Sequence, residues 1–208
     1  MSSAAQKWWR RIRFGEPIVV VSGLPRSGTS MAMRMLEAGG MPLVVDGIRT
    51  ADEDNPKGYF ELERVKELDK GGDTSWLRQA RGKAVKIISQ LLLHLPGTNN
   101  YKVVFMQRDL TEVLASQRKM LLRRGEPAEG DDAQMRRLYE EHLDKVRFIL
   151  RRRPWFETIY VQHREVLRDP LGQAKRIAAF VGRPLDVERM AGAVDPSLHR
   201  NRAEELSG

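Results

Sequence analysis

The chain has 208 residues, 41% hydrophobic and 31% charged, and no cysteine. That composition supports a domain-sized core and excludes a disordered or collagen-like chain, a membrane span, disulfides, a cysteine zinc site and a thiol nucleophile. The formal charge of +8, from 36 Lys and Arg against 28 Asp and Glu, draws phosphate or sulfate without saying which molecule carries it.

Residues 1–16 hold a basic, aromatic segment, Lys7-Trp8-Trp9-Arg10-Arg11-Ile12-Arg13-Phe14. It lacks the apolar core of a signal peptide. The expectation is a helix that packs its tryptophans on the domain, with a place on a membrane surface as the alternative. Ile18-Val19-Val20-Val21 is wholly apolar and β-branched, the pattern of a strand buried on both faces of a parallel sheet. A turn from Gly23 to Gly28 follows, then a helix from Ser30 to Ala38 ended by Gly39-Gly40. Strand, glycine loop and helix open a P-loop-like α/β domain.

Further strands are predicted at Ala84–Ile88, Val103–Met106 and Thr158–Val161. Asp109 and Glu112 have the spacing of a capping box for a helix reaching about Leu122. From Met135, apolar or aromatic residues at 138, 139, 143, 146, 149 and 150 form one helical stripe, stopped by Pro154. His142 lies on that stripe, where a core histidine with a hydrogen-bond partner is expected. Pro170 opens a helix to Val181, closed by Gly182-Arg183-Pro184. Residues 46–82 and 184–208 are the least regular. Strands alternating with helices predict one α/β domain over 1–208. Its expected form is a three-layer sandwich around a central, mainly parallel sheet, like P-loop nucleotide-binding folds.

Gly23-Leu24-Pro25-Arg26-Ser27-Gly28-Thr29-Ser30 is the sharpest chemical signal. Backbone N–H groups in such a loop, with a helix N-terminus behind them, cradle an anion. Thr29 stands where a nucleoside triphosphatase has its Walker lysine, which argues against ATP or GTP hydrolysis. Arg26 supplies the cation instead, and Thr29 and Ser30 supply hydroxyls. The second signal is Arg108, at the carboxyl end of the third strand where open α/β sheets bind ligands, with Ser116 two turns down the next helix. This pair suits a second phosphate.

Together the two elements resemble the sulfotransferases that use 3′-phosphoadenosine 5′-phosphosulfate (PAPS). A third segment, Arg164-Glu165-Val166-Leu167-Arg168-Asp169-Pro170 with Ile177, Phe180, Gly182, Pro184 and Leu185, is also similar to that family. The resemblance implies that Pro25, Arg26, Ser27, Gly28, Thr29 and Ser30 bind the 5′-phosphosulfate. It implies that Arg108 and Ser116 bind the 3′-phosphate, and that Arg26 acts at the bridging oxygen with Lys86 in support. A basic C-terminal segment, 186–208, covers the nucleotide in this reading, through Arg200 and Arg202. No metal is expected, because no metal-ligand cluster is found.

Two departures stand out. Arg26 replaces the loop lysine of cytosolic members, as in the tyrosylprotein branch and many bacterial members. The Lys-Thr-His run that carries the cytosolic base is absent, since Lys86 is followed by Ile87, Ile88 and Ser89. The tyrosylprotein branch has a glutamate base about twenty residues past its loop arginine, with an arginine two residues later. Asp46 and Arg49 fall at nearly that spacing, and Glu53, Asp54, Glu61 and His94 are the alternatives. The expected protein is a cytoplasmic sulfotransferase acting on a hydroxyl or amine of a small molecule, saccharide, lipid or peptide, without nucleic acid as partner. A small-metabolite kinase, a nucleic-acid-binding module and a nucleotide binder without turnover are the rivals.

Overall fold

A computed structural model describes residues 4–46, 60, 62–125 and 131–195. Its strands are β1 (Ile18–Gly23), β2 (Ala84–Lys86), β3 (Tyr101–Gln107) and β4 (Phe156–Gln162). All pair in parallel, in the order β2-β1-β3-β4. The helices are α1 (Ala4–Phe14), α2 (Thr29–Ala38), α3 (Leu110–Arg123), α4 (Asp132–Arg152), α5 (His163–Arg168), α6 (Pro170–Val181) and α7 (Val187–Gly192). Two 3-10 segments, Glu63–Lys70 and Ser75–Arg78, lie within the least regular stretch, and a third, Ser89–His94, follows β2.

Side chains alternate across the strands and build a core on each face. Val19, Val21, Val104 and Met106 meet residues of α2, α6 and α7 on one face. Ile18, Val20, Val85, Val103 and Phe105 meet α4 and the 3-10 segments on the other. Each fully buried aliphatic or aromatic side chain here contributes roughly 1.5–3 kcal/mol. Every residue of β1 is buried, which is why its sequence is apolar without alternation. The three layers and the parallel sheet are those expected.

The element ends follow the sequence closely. Asp169 accepts the Gly172 N–H at 2.9 Å, Pro170 opens α6, and Gly182 closes it at φ 71°. Lys102 Nζ donates to the carbonyls of Phe180 and Val181 at 2.8 and 3.0 Å, placing a cation at the negative end of α6. β2 is shorter than expected. Ile87 still donates its N–H to Val21, but the chain then bends into Ser89–His94.

Two expectations fail. Trp8 and Trp9 do not pack on the domain; they are 67% and 50% exposed. Arg10 docks α1 instead, because its guanidinium meets Asn100 Oδ1 at 3.0 Å and the carbonyls of Gly97 and Asn99 at 2.8 and 2.9 Å. The α4 stripe is buried only late, at Val146 and Leu150, while Leu138 is exposed. The first half of α4 lies along α3 through polar contacts, Arg136 to Thr111 and Tyr139 to Gln117. His142 has its partner: Ser89 Oγ lies 2.8 Å from His142 Nε2.

Among the described residues, no helix is long and apolar enough to cross a membrane. Among the same residues, no group of three or more His, Asp or Glu is placed to hold a metal ion.

Candidate active site

The chain leaves β1 at Gly23 and enters α2 at Thr29. Gly23 has φ 151°, and a Cβ there would run into Ser27 Oγ and come within 2.6 Å of the Met106 carbonyl oxygen. Only glycine lets the loop pass this close to β3. Ser27 closes the turn, its Oγ and N–H donating to the Leu24 carbonyl at 2.7 and 3.2 Å. Gly28 caps α2 at φ 97° and offers no side-chain acceptor. The N-terminal, positive end of the α2 dipole thus faces the loop. A Cβ on Gly28 would lie 2.7 Å from His163 Cδ2.

Arg26 is held in the left-handed region at φ 69°, a conformation that costs a non-glycine residue of order 1–3 kcal/mol. Two contacts offset that strain. Arg26 Nε donates to Ser116 Oγ at 2.9 Å, and Arg108 Nη1 donates to the Arg26 carbonyl at 3.1 Å. The two motifs of the sequence are therefore bonded to each other.

Arg108 follows β3, and its Nε pairs with Glu112 Oε2 at 2.8 Å. Arg164 follows β4, and its Nε and Nη2 reach Glu112 Oε1 at 3.2 and 3.0 Å. Pairing of Gln107 with Gln162 brings the two arginines side by side. Glu112 is 0% exposed, Arg108 8% and Arg164 46%. One buried carboxylate between two guanidiniums leaves the group net positive. The expected capping box is only half formed. Asp109 accepts the N–H groups of Thr111 and Glu112 at 2.8 and 3.4 Å, but the Glu112 carboxylate turns to the two arginines. A two-arginine environment outweighs one neutral backbone donor.

An open cleft of about 600 Å³ lies beside them, lined in part by Leu24, Ser27, Arg108, Leu143, Arg147 and Arg164. Thr29 is buried, and Pro25 and Ser30 are half-buried at the loop. Lys86 pairs with Val21 at the end of β2, and its register puts it on the α2 face with Val19, Val21 and Ala84. Leu43 bridges to Ala84 in parallel, so the chain runs on toward the carboxyl edge of the sheet at Asp46. There Asp46 is exposed and its Oδ2 accepts the Glu63 N–H at 2.6 Å. His94 is exposed at the end of the Ser89–His94 segment. Arg49, Glu53, Asp54, Glu61, Arg200 and Arg202 lie outside the described residues.

A family model for the sulfotransferase domain matches residues 16–206. The chain belongs to the sulfotransferase domain family. It is a transferase, and the group it moves is sulfuryl. Solved structures agree in fold. The sulfotransferase domain of the Synechococcus PCC 7002 olefin synthase aligns at 16% identity and a TM-score of 0.53, covering 93% of this chain and 83% of that one. The sulfotransferase domain of the curacin biosynthetic pathway aligns at 13% identity and a TM-score of 0.51, covering 88% and 89%. No curated protein sequence matches the chain.

Two residues at this sulfotransferase site escape sequence reading as site residues. Glu112 looks like a cap, though its position four residues after Arg108 is also the spacing of a helical ion pair. Arg164 stands in the sequence only as the head of the third family-like segment, with no site role attached to it. Its place depends on the β3–β4 register, which no short segment encodes.

Proposed function

We propose that this sulfotransferase takes its sulfuryl group from PAPS and delivers it to a hydroxyl or amine, releasing adenosine 3′,5′-bisphosphate. The observation that carries the reading is the bonding of Arg26 to Ser116 and of Arg108 to the Arg26 carbonyl. It joins an anion loop to a second cationic station at the carboxyl edge of the sheet, as a donor with two separate anionic groups requires. The donor set suits that molecule: backbone N–H groups, hydroxyls and arginines, with the one buried carboxylate already neutralised.

PAPS supplies an activated sulfuryl group on a phosphate leaving group. In-line transfer asks the protein chiefly for positioning and charge stabilisation. The loop from Pro25 to Ser30 holds the 5′ end, with hydroxyls from Thr29 and Ser30. Arg26 and Lys86 stabilise charge as it builds on the leaving oxygen. Arg108 and Ser116 hold the 3′-phosphate. Ser116 accepts from Arg26 and keeps its own O–H to donate. Asp46, carried toward the carboxyl edge, takes the acceptor's proton, and Arg200 and Arg202 cover the nucleotide.

Calorimetry with adenosine 3′,5′-bisphosphate, with ATP and Mg²⁺, and with a DNA duplex tests the donor class. Binding of the bisphosphate alone is expected. Labelled sulfuryl transfer from PAPS to a panel of phenols, saccharides, lipids and peptides then tests turnover. Tighter binding of ATP with Mg²⁺, or no transfer to any acceptor class, would overturn the reading.

A further inference from the structure

The eleven residues of α1 divide into two faces at 100° per residue. The inward face is bolted down. Arg10 bonds Asn100, Gly97 and Asn99 and lies 4.7 Å above the Phe14 ring. Asn100 Nδ2 donates back to the carbonyls of Arg10 and Gly15 at 3.0 and 3.3 Å. The outward face carries Trp8, Ile12 and Trp9 within an arc of about 100°. Their exposures are 67%, 65% and 50%. Arg11 borders this strip on one side. Arg13 borders it on the other, its guanidinium 5.1 Å from the Trp9 ring centre.

A soluble surface gains nothing by presenting two tryptophans and an isoleucine together. The arrangement has the form of a helix that lies in a lipid interface: apolar centre, aromatic rings and arginines on both borders. The ground around it is basic too. Arg81 lies 3.6 Å from where a Gly15 Cβ would be. Arg183 bonds the Gly82 carbonyl, and Gly82 bonds Pro17. Lys83 and Arg183 are exposed. Glu16 is the acid next to α1, and Arg11 pairs with it at 2.6 Å.

We propose that α1 docks this chain on a bilayer surface carrying anionic lipid, with Trp8, Trp9 and Ile12 inserted and Arg11 and Arg13 among the headgroups. Charge complementarity selects that occupant. A second copy would bring like-charged borders together, and a nucleic acid would find an apolar strip where it needs cations. With eleven residues, α1 lies on the membrane and does not cross it. Orientation follows from where the helix is attached. α1 leads into the start of β1 and is bonded to residues 97–100 before β3, whereas the anion loop leaves the end of β1. Docking leaves the cleft facing water, open to a soluble nucleotide.

Co-sedimentation of the whole chain with vesicles tests this, using phosphatidylcholine alone and phosphatidylcholine mixed with phosphatidylglycerol. Binding to the anionic vesicles only, with a blue shift of tryptophan emission, is expected. The double variant Trp8→Ser/Trp9→Ser should bind roughly tenfold more weakly or worse. Arg11→Gln and Arg13→Gln should each lose roughly fivefold. These side chains are exposed, so an unchanged melting temperature verifies folding. Adenosine 3′,5′-bisphosphate affinity should be equal with and without vesicles. Absence of binding to anionic vesicles overturns the proposal, as does undiminished binding by the tryptophan double variant. Self-association without lipid that the double variant abolishes also overturns it, by assigning the strip to a second copy.

Discussion

The two edges of the sheet handle positive charge in opposite ways. At the carboxyl edge, Arg26, Arg108 and Arg164 are tied to Ser116, to the Arg26 carbonyl and to the buried Glu112. Their geometry is fixed before any ligand arrives, which suits recognition of compact anionic groups at set positions. At the opposite edge, Arg10, Arg81 and Arg183 donate to backbone carbonyls, while Arg11 and Lys83 are exposed and Trp8 and Trp9 stand out from α1. Diffuse charge around an apolar strip suits an extended surface. Net charge is the same property at both edges; the carboxylate and its burial make one of them a site.

The sharpest way to break this contrast is to remove the carboxylate. Glu112→Ala leaves two guanidiniums facing each other, one of them almost fully buried. Losing one partner of a buried pair typically costs about 3–5 kcal/mol, here mostly through Arg108, since Arg164 is partly solvated. Urea denaturation should show that loss. Glu16→Ala removes the exposed partner of Arg11 at the other edge and should lie within about 1 kcal/mol of the parent. Equal effects from the two variants would erase the distinction.

The next effect concerns turnover. Arg26→Ala should lower transfer by roughly 10²–10³ while weakening nucleotide binding less, because the rest of the loop remains. Steady-state transfer set against calorimetric affinity separates the two. Wild-type turnover in the variant would remove Arg26 from the reacting centre.

Arg108→Ala sharpens the contrast within the carboxyl edge. A charge-assisted phosphate contact is worth about 1.5–3 kcal/mol, roughly ten- to hundredfold in affinity. Adenosine 3′,5′-bisphosphate should weaken by that factor, and 5′-AMP should hardly change. Equal weakening of both nucleotides would mean that Arg108 acts only through its bond to the Arg26 carbonyl.

What was legible in the sequence was local. The β-branched run of β1, the glycines at Gly23 and Gly28, and Arg108 at a strand end each depend on a few neighbouring residues. Asp169, Pro170 and Gly182 fix α6 in the same way. What was not legible depends on partners far along the chain. The Arg26–Ser116 bond spans two elements, and Arg164 reaches Glu112 only through strand register. Periodicity shows that Trp8 and Ile12 share a face of α1, but not which face turns inward. The carbonyls at Gly97 and Asn99 decide that in favour of Arg10. The later half of α4 obeys its stripe because the sheet lies beneath it, and the earlier half does not because α3 offers polar partners instead.

The smallest expected effect is a pH dependence between those edges, where α4 meets the Ser89–His94 segment. Burial holds the His142 pKa below its ordinary 6.5, and Lys145 adds to the depression. The folded protein therefore prefers the neutral imidazole, whose ring nitrogen lies 2.8 Å from the buried Ser89 hydroxyl. Between the depressed value and 6.5, the unfolded chain binds the proton and the folded chain does not. Stability then rises with pH across that window. The contribution is complete above the unfolded value and is lost as pH falls through the folded one. Urea denaturation from pH 8 down to pH 5 should show the decline, and His142→Gln should flatten it while leaving the slope from other groups. An unchanged pH profile in His142→Gln would mean that this histidine titrates alike in both states, and that its contact with Ser89 does not favour the neutral ring.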